Sequence, residues 1–167
     1  MEDEQKTPDA KDLTPGDVAA KLRDTSVVML TTAVGDGKLV SHPMTIQGVT
    51  DESDVWFFVG RRGDQARALN SGSAVNISIS EAGSWLSVAG HAEFVEDAAT
   101  VRELWNDSAE GYFPQGPDDP DLALLRVTTD SAQFWGLSGG RIAGAAQMVR
   151  AMVTKDRAPG GTDTTEL

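Results

Sequence analysis

Three arginines, Arg61, Arg62 and Arg67, gather around Gly63 and Asp64 where an apolar strand gives way to a short helix. Guanidinium forks beside the open N–H groups of a helix start suit an anion, a phosphate above all. The strand is read from Val55-Trp-Phe-Phe-Val59, which is β-branched and aromatic. The helix is read from Ala and Leu at helical spacing between Asp64 and Leu69, with Asn70-Ser71-Gly72 as its stop. One strand earlier, Ser41-His-Pro-Met-Thr45 carries a proline within a β pattern. Proline cannot donate to a sheet ladder, so Pro43 marks an edge or a bulge. A bulge there would leave backbone groups of His42, Met44 and Thr45 open to a ligand. Met44 suits either core filling or an apolar wall.

Hydrolytic and metal chemistry find little support. The chain has two histidines, His42 and His91, no cysteine, no Gly-x-Ser-x-Gly and no His-Glu-x-x-His. His91 is expected at the surface of its strand or at a barrel end, whereas His42, beside Pro43, keeps a structural and a functional reading.

A chain of 167 residues fits one domain that can build a core without cross-links. The net charge of -12 argues against nucleic-acid and anionic-membrane partners. No secretory segment or membrane-length apolar run is evident, so a cytoplasmic protein is expected. From Glu93 to Asp121 nine acids face Arg102 alone, without the ordered oxygen pattern of a calcium loop. A solvated face and a Pro-containing loop are expected there.

These groups need a scaffold. Thr14-Pro-Gly-Asp17 starts a helix whose Val18, Ala19 and Leu22 share a face. Strands are predicted over 26–34, 38–49, 55–59, 74–80 and 85–95, with Gly35-Asp36-Gly37 as a hairpin turn. Residues 98–106 read as helix, and 107–120 as a loop ordered by Tyr112 and Phe113. Two further strands, 122–129 and 132–137, are expected to close the sheet as an antiparallel pair, followed by an amphipathic helix over 141–153. Residues 1–12 and 155–167 are expected to be disordered tails around a domain of 13–154.

In this order the pieces resemble the flavin-binding split-barrel proteins related to pyridoxamine phosphate oxidase, and most closely their general stress protein branch. The resemblance covers about Val27 to Val153 and rests on Val28-Met-Leu-Thr-Thr, Ser41-His-Pro-Met, Trp56-Phe-Phe, Ala74-Val-Asn-Ile-Ser, Ser87-Val-Ala-Gly-His-Ala-Glu, Leu104-Trp-Asn, the run from Tyr112 to Asp121 and Gln133-Phe-Trp. It implies a mainly β fold, a six-stranded antiparallel split barrel with peripheral helices, working as a homodimer with shared cofactor sites. FMN is the implied cofactor, with FAD or deazaflavin as alternatives, and a flavin-dependent redox reaction of unassigned substrate follows. The implied cofactor residues are Ser41, His42, Pro43, Met44, Thr45, Val59, Arg61, Arg62, Gln65 and Trp135. Such families end the third strand in Thr or Ser and hold the phosphate with a Ser and a Lys at the next helix start. Here Val59, Gly63 and Gln65 stand instead. The arginines replace them, or the chain is a non-catalytic barrel that binds flavin or another phosphate-bearing cofactor weakly or not at all.

Overall fold

The computed structural model describes residues 13–69, 73–136 and 161–167. The chain forms α1 (Pro15–Arg23), β1 (Val27–Ala33), β2 (Leu39–Val49), β3 (Val55–Gly60), α2 (Asp64–Ala68), β4 (Ser73–Glu81), β5 (Ser84–Val95), α3 (Ala98–Leu104), α4 (Asp107–Glu110), β6 (Leu122–Gly136) and β7 (Gly161–Glu166). The sheet order is β3-β2-β1-β4-β5-β6-β7, and β3 also pairs with β6, closing six antiparallel strands into the expected barrel.

Strict alternation fills the interior. Val28 and Leu30 of β1, Val75, Ile77 and Ile79 of β4, and Leu86, Val88 and Ala92 of β5 meet Val55, Phe57 and Val59 of β3 and Leu125 and Val127 of β6 in one core. Val18 and Leu22 belong to the same core, so α1 plugs one barrel end. Full burial of such a side chain favours folding by about 1.5–3 kcal/mol. The plug is fixed locally by a reciprocal cap: the Asp17 N–H donates to the Thr14 hydroxyl at 3.2 Å, and the Thr14 N–H donates to the Asp17 carboxylate at 3.2 Å. The hairpin turn also follows the sequence, with Gly37 at φ 80° and Lys38 N–H donating to Asp36.

A second core lies outside β3 and β6, where α3, α4 and the following loop bury Val101, Ala109 and Phe113 against Phe58, Leu122 and Leu124. Phe58 meets Phe113 edge-on at 6.4 Å and Trp105 at 6.0 Å. Of the two aromatics expected to order the 107–120 segment, Phe113 is the anchor, for it is 7% exposed while Tyr112 is 77% exposed.

Four expectations need correction, the first being that Asp107–Glu110, expected within a loop, forms α4. Residues 122–137 do not form a strand pair: β6 is one strand of 15 residues. The polar run Thr129-Asp130-Ser131 looked like a turn, but β5 pairs along both halves of β6 and a bulge absorbs Asp130 between Thr129 and Ser131. The tail beyond Lys155 is not wholly irregular, since β7 pairs with residues 131–136 of β6 on the edge that β3 leaves open. Pro43 marks an edge rather than a bulge. It pairs regularly with Met29 of β1, and the irregularity in β2 lies between Ile46 and Gly48. The predicted tail over 1–12 and the helix over 141–153 lie outside the described residues. No described helix is long and apolar enough to cross a membrane.

Candidate functional site

The barrel opens between β2 and β3. Their pairing runs from Val49 opposite Val55 to Ile46 opposite Phe57 and ends there. Beyond that point residues 39–45 of β2 stay on β1, and Phe58, Val59 and Gly60 stay on β6. Two strand edges therefore face each other without a ladder, and Ser41–Thr45 lines one while the approach to Arg61 lines the other. The bulge at Gln47 is the physical cause, because an extra residue bends its strand away from its neighbour.

Within the split, side chains divide by face. Met44 is buried in the main core, and His42, opposite Leu30, shares its face. Ser41, Pro43 and Thr45 take the outer face, where the Ser41 and Thr31 hydroxyls lie 2.7 Å apart. Val59 is also buried in the core, so it offers the split only backbone.

The arginines are not a bare basic patch. Arg61 is gripped by Glu96 through both terminal nitrogens at 3.1 Å, and its Nε donates to the Leu122 carbonyl at 3.0 Å. Arg67 pairs with Asp64 at 2.5 Å. Arg62 is held most loosely, with Nε 3.6 Å from Asp121 and a side chain 83% exposed. Its own N–H donates to the same carboxylate at 3.2 Å. Three cations thus face three carboxylates. Glu96 and Asp121 were missed from sequence because they lie 35 and 59 residues away. The acid-rich segment was the available signal: it is no mere solvated face, since Glu93 and Asp118 also pair with Arg126 and Arg102. Helix α2 has five residues, and Gly63 before it supplies no side-chain cap, while Gln65 is half-buried.

Trp135 lies on β6 opposite Trp85 of β5, on the half of β6 that pairs with β7 rather than with β3. As expected, Trp135 and Phe134 take opposite faces: Phe134 packs on the core and Trp135 is 37% exposed. The outer face it shares also exposes Val27, Met29 and Leu39 at 56, 40 and 69%. His91 is on this face too, exposed as expected, with Nδ1 2.9 Å from an Asp130 carboxylate oxygen.

Comparisons with known proteins agree with the barrel fold. A general stress FMN/FAD binding protein from Xanthomonas citri is 31% identical, superposes with a TM-score of 0.58, and is matched over 68% of this chain and 81% of that one. A candidate general stress protein 26 from Jannaschia sp. CCS1 is 25% identical with a TM-score of 0.68, over 90% of this chain and 96% of that one. The curated protein bli-3 of Neurospora crassa is 29% identical over 109 residues, 59% of this chain, and the match spans about half of that relative's length, 52%. The family model described as pyridoxamine 5'-phosphate oxidase like matches residues 16–159, which hold the whole barrel, and the chain belongs to that family.

Proposed function

We propose that the chain binds a flavin, FMN in preference to FAD or deazaflavin, at sites shared between two copies, and serves as a flavin-dependent oxidoreductase. The observation that carries this is the split itself. Ser41–Thr45, paired to β1 but not to β3, faces a gap whose other arm runs into three arginines. The planar ring would find N–H and C=O groups along β2, and the phosphate would find guanidinium groups at the far arm. A bound flavin supplies the electron chemistry, while the chain supplies position and charge. The apolar outer face, to which Trp135 belongs, supports a second copy.

The carboxylates beside the arginines do not defeat this reading. Exposed ion pairs contribute about 0–1 kcal/mol each. A charge-assisted hydrogen bond to phosphate contributes about 1.5–3 kcal/mol. A phosphate can therefore displace Asp121 from Arg62 at small cost, and Arg62 is the first candidate to hold it. Arg61, held by four bonds, is the second.

A competing reading is a barrel that has lost flavin binding. Its specific support is that Gly63 and Gln65 supply neither hydroxyl nor ammonium, and that each arginine already has an acidic partner. Titration of FMN and riboflavin into wild type, Arg61→Ala and Arg62→Ala separates the two. Flavin binding predicts tighter FMN than riboflavin, and an FMN loss of about tenfold or more in Arg62→Ala with riboflavin unchanged. Equal affinity for both ligands would remove the arginine role, and no binding of either would favour the flavin-free barrel.

A further inference from the structure

Where β2 leaves the split, an open cleft of ≈ 560 Å³ lies between the start of β1, the bulged end of β2 and the α3–α4 corner. Its size falls among ligand sites, which run from about 300 to 1,000 Å³. The corner is seated by two features of β2. The register shift leaves Gln47 as the extra residue. Gly48 leaves room for Leu104, whose Cδ2 would lie 2.7 Å from a Cβ there.

The hydrogen bonds around Asn106 then fix what the cleft presents. The backbone N–H groups of Ser108 and Ala109 donate to Asn106 Oδ1 at 3.1 and 3.2 Å, so that atom is the amide oxygen. The other end must be NH2. It donates to the Leu104 carbonyl at 3.1 Å and to Gln47 at 2.6 Å, so the Gln47 atom facing it is the oxygen. The Gln47 NH2 is consequently turned away from Asn106, and Gln47 lines the cleft. Arg23, on the opposite wall, is occupied: one terminal nitrogen donates to the Thr50 carbonyl at 2.9 Å and to Asp51 at 2.6 Å. Val27, Ile46 and Val49 supply apolar lining.

We propose that this cleft binds a small uncharged carbonyl compound, its oxygen accepting from the Gln47 NH2 and its apolar body resting on Val27, Ile46 and Val49. A donor with no net charge, in a chain of charge -12, selects a neutral acceptor over an anion. Thr45 borders both the cleft and the split, which sets the ligand beside the flavin site. Binding itself needs no flavin; that the ligand is the substrate rests on the function proposed above.

Benzamide titrated into the flavin-free, isotope-labelled full chain tests binding by NMR. Saturable shifts are expected at the Gln47 side-chain NH2 and at Val27 and Val49, with a dissociation constant on the order of 1 mM. Gln47→Glu keeps an acceptor for Asn106 and loses the donor. It should weaken benzamide by about tenfold or more, while the Ser108 and Ala109 amide resonances stay in place. Absence of saturable shifts in wild type, or undiminished binding in a folded Gln47→Glu variant, would overturn the proposal. Neither result depends on whether FMN binds.

Discussion

Replacing Gly90 with alanine is expected to damage the barrel far more than the same change at Gly48. At Gly90 the new methyl would sit 2.3 Å from the Thr128 carbonyl oxygen and 3.2 Å from the Thr129 Cα. Close carbon–oxygen contacts begin near 3.3 Å, so roughly 1 Å must open between β5 and β6. The obstacles are backbone atoms beside the Asp130 bulge and cannot swing aside. Overpacking of this kind costs about 1–3 kcal/mol, and parting the strands gives up a ladder bond of about 0.5–1.5 kcal/mol. The reduced freedom of the unfolded chain returns about 0.4–1 kcal/mol. A net loss of about 0.5–4 kcal/mol should lower Tm by roughly 1–16 °C. At Gly48 the nearest atom is Leu104 Cδ2, the tip of a half-buried side chain that can rotate, so the loss should stay below about 1.5 kcal/mol. Urea unfolding followed by tryptophan fluorescence compares the two variants. A Gly90→Ala protein no less stable than Gly48→Ala would refute the bulge packing described above.

Other expectations follow from separate parts of the molecule. Asp97 caps α3, and its bonds to Thr100, the hydroxyl first, hold its carboxyl below the usual carboxylate range. A lowered folded value means that its stabilisation is present at neutral pH and disappears as the pH falls below about 4 and through that value. Asp97→Ala should therefore be less stable than wild type at pH 7, with the gap closing near pH 2 in urea titrations; a gap of constant size would contradict this. Deleting residues 161–167 should lower Tm by several degrees, because Leu167 packs on the core and its N–H donates to the Asp130 carbonyl at 2.8 Å. An unchanged calorimetric transition would mean that β7 adds nothing. The double variant Met29→Glu, Trp135→Glu should sediment as a folded monomer under conditions where wild type is a dimer. Persistence of the dimer would move the contact off the outer face.

The legible parts of the fold were those set by local chemistry. The Thr14–Asp17 cap, the turn at Gly37 and the alternation of Val75, Ile77 and Ile79 each depend on residues a few positions apart. Pro43 and the arginines, singled out in the sequence, border the split between β2 and β3. What failed depended on partners far along the chain. Whether Thr129-Asp130-Ser131 turns or bulges is decided by β5, and the charge state of the Arg61–Arg67 corner is decided by Glu96 and Asp121. Likewise Asn106, read in sequence as the end of a helix, caps α4 and sets the orientation of Gln47, 59 residues away.

The central claim is a flavin held where two copies meet. Sedimentation of the chain with added FMN, followed in the flavin's visible band, tests it most directly. The colour should travel with protein at twice 17.7 kDa, at about one flavin per chain by analogy with a two-site dimer. Colour left behind in the supernatant, or travelling at the mass of a single chain, would contradict it.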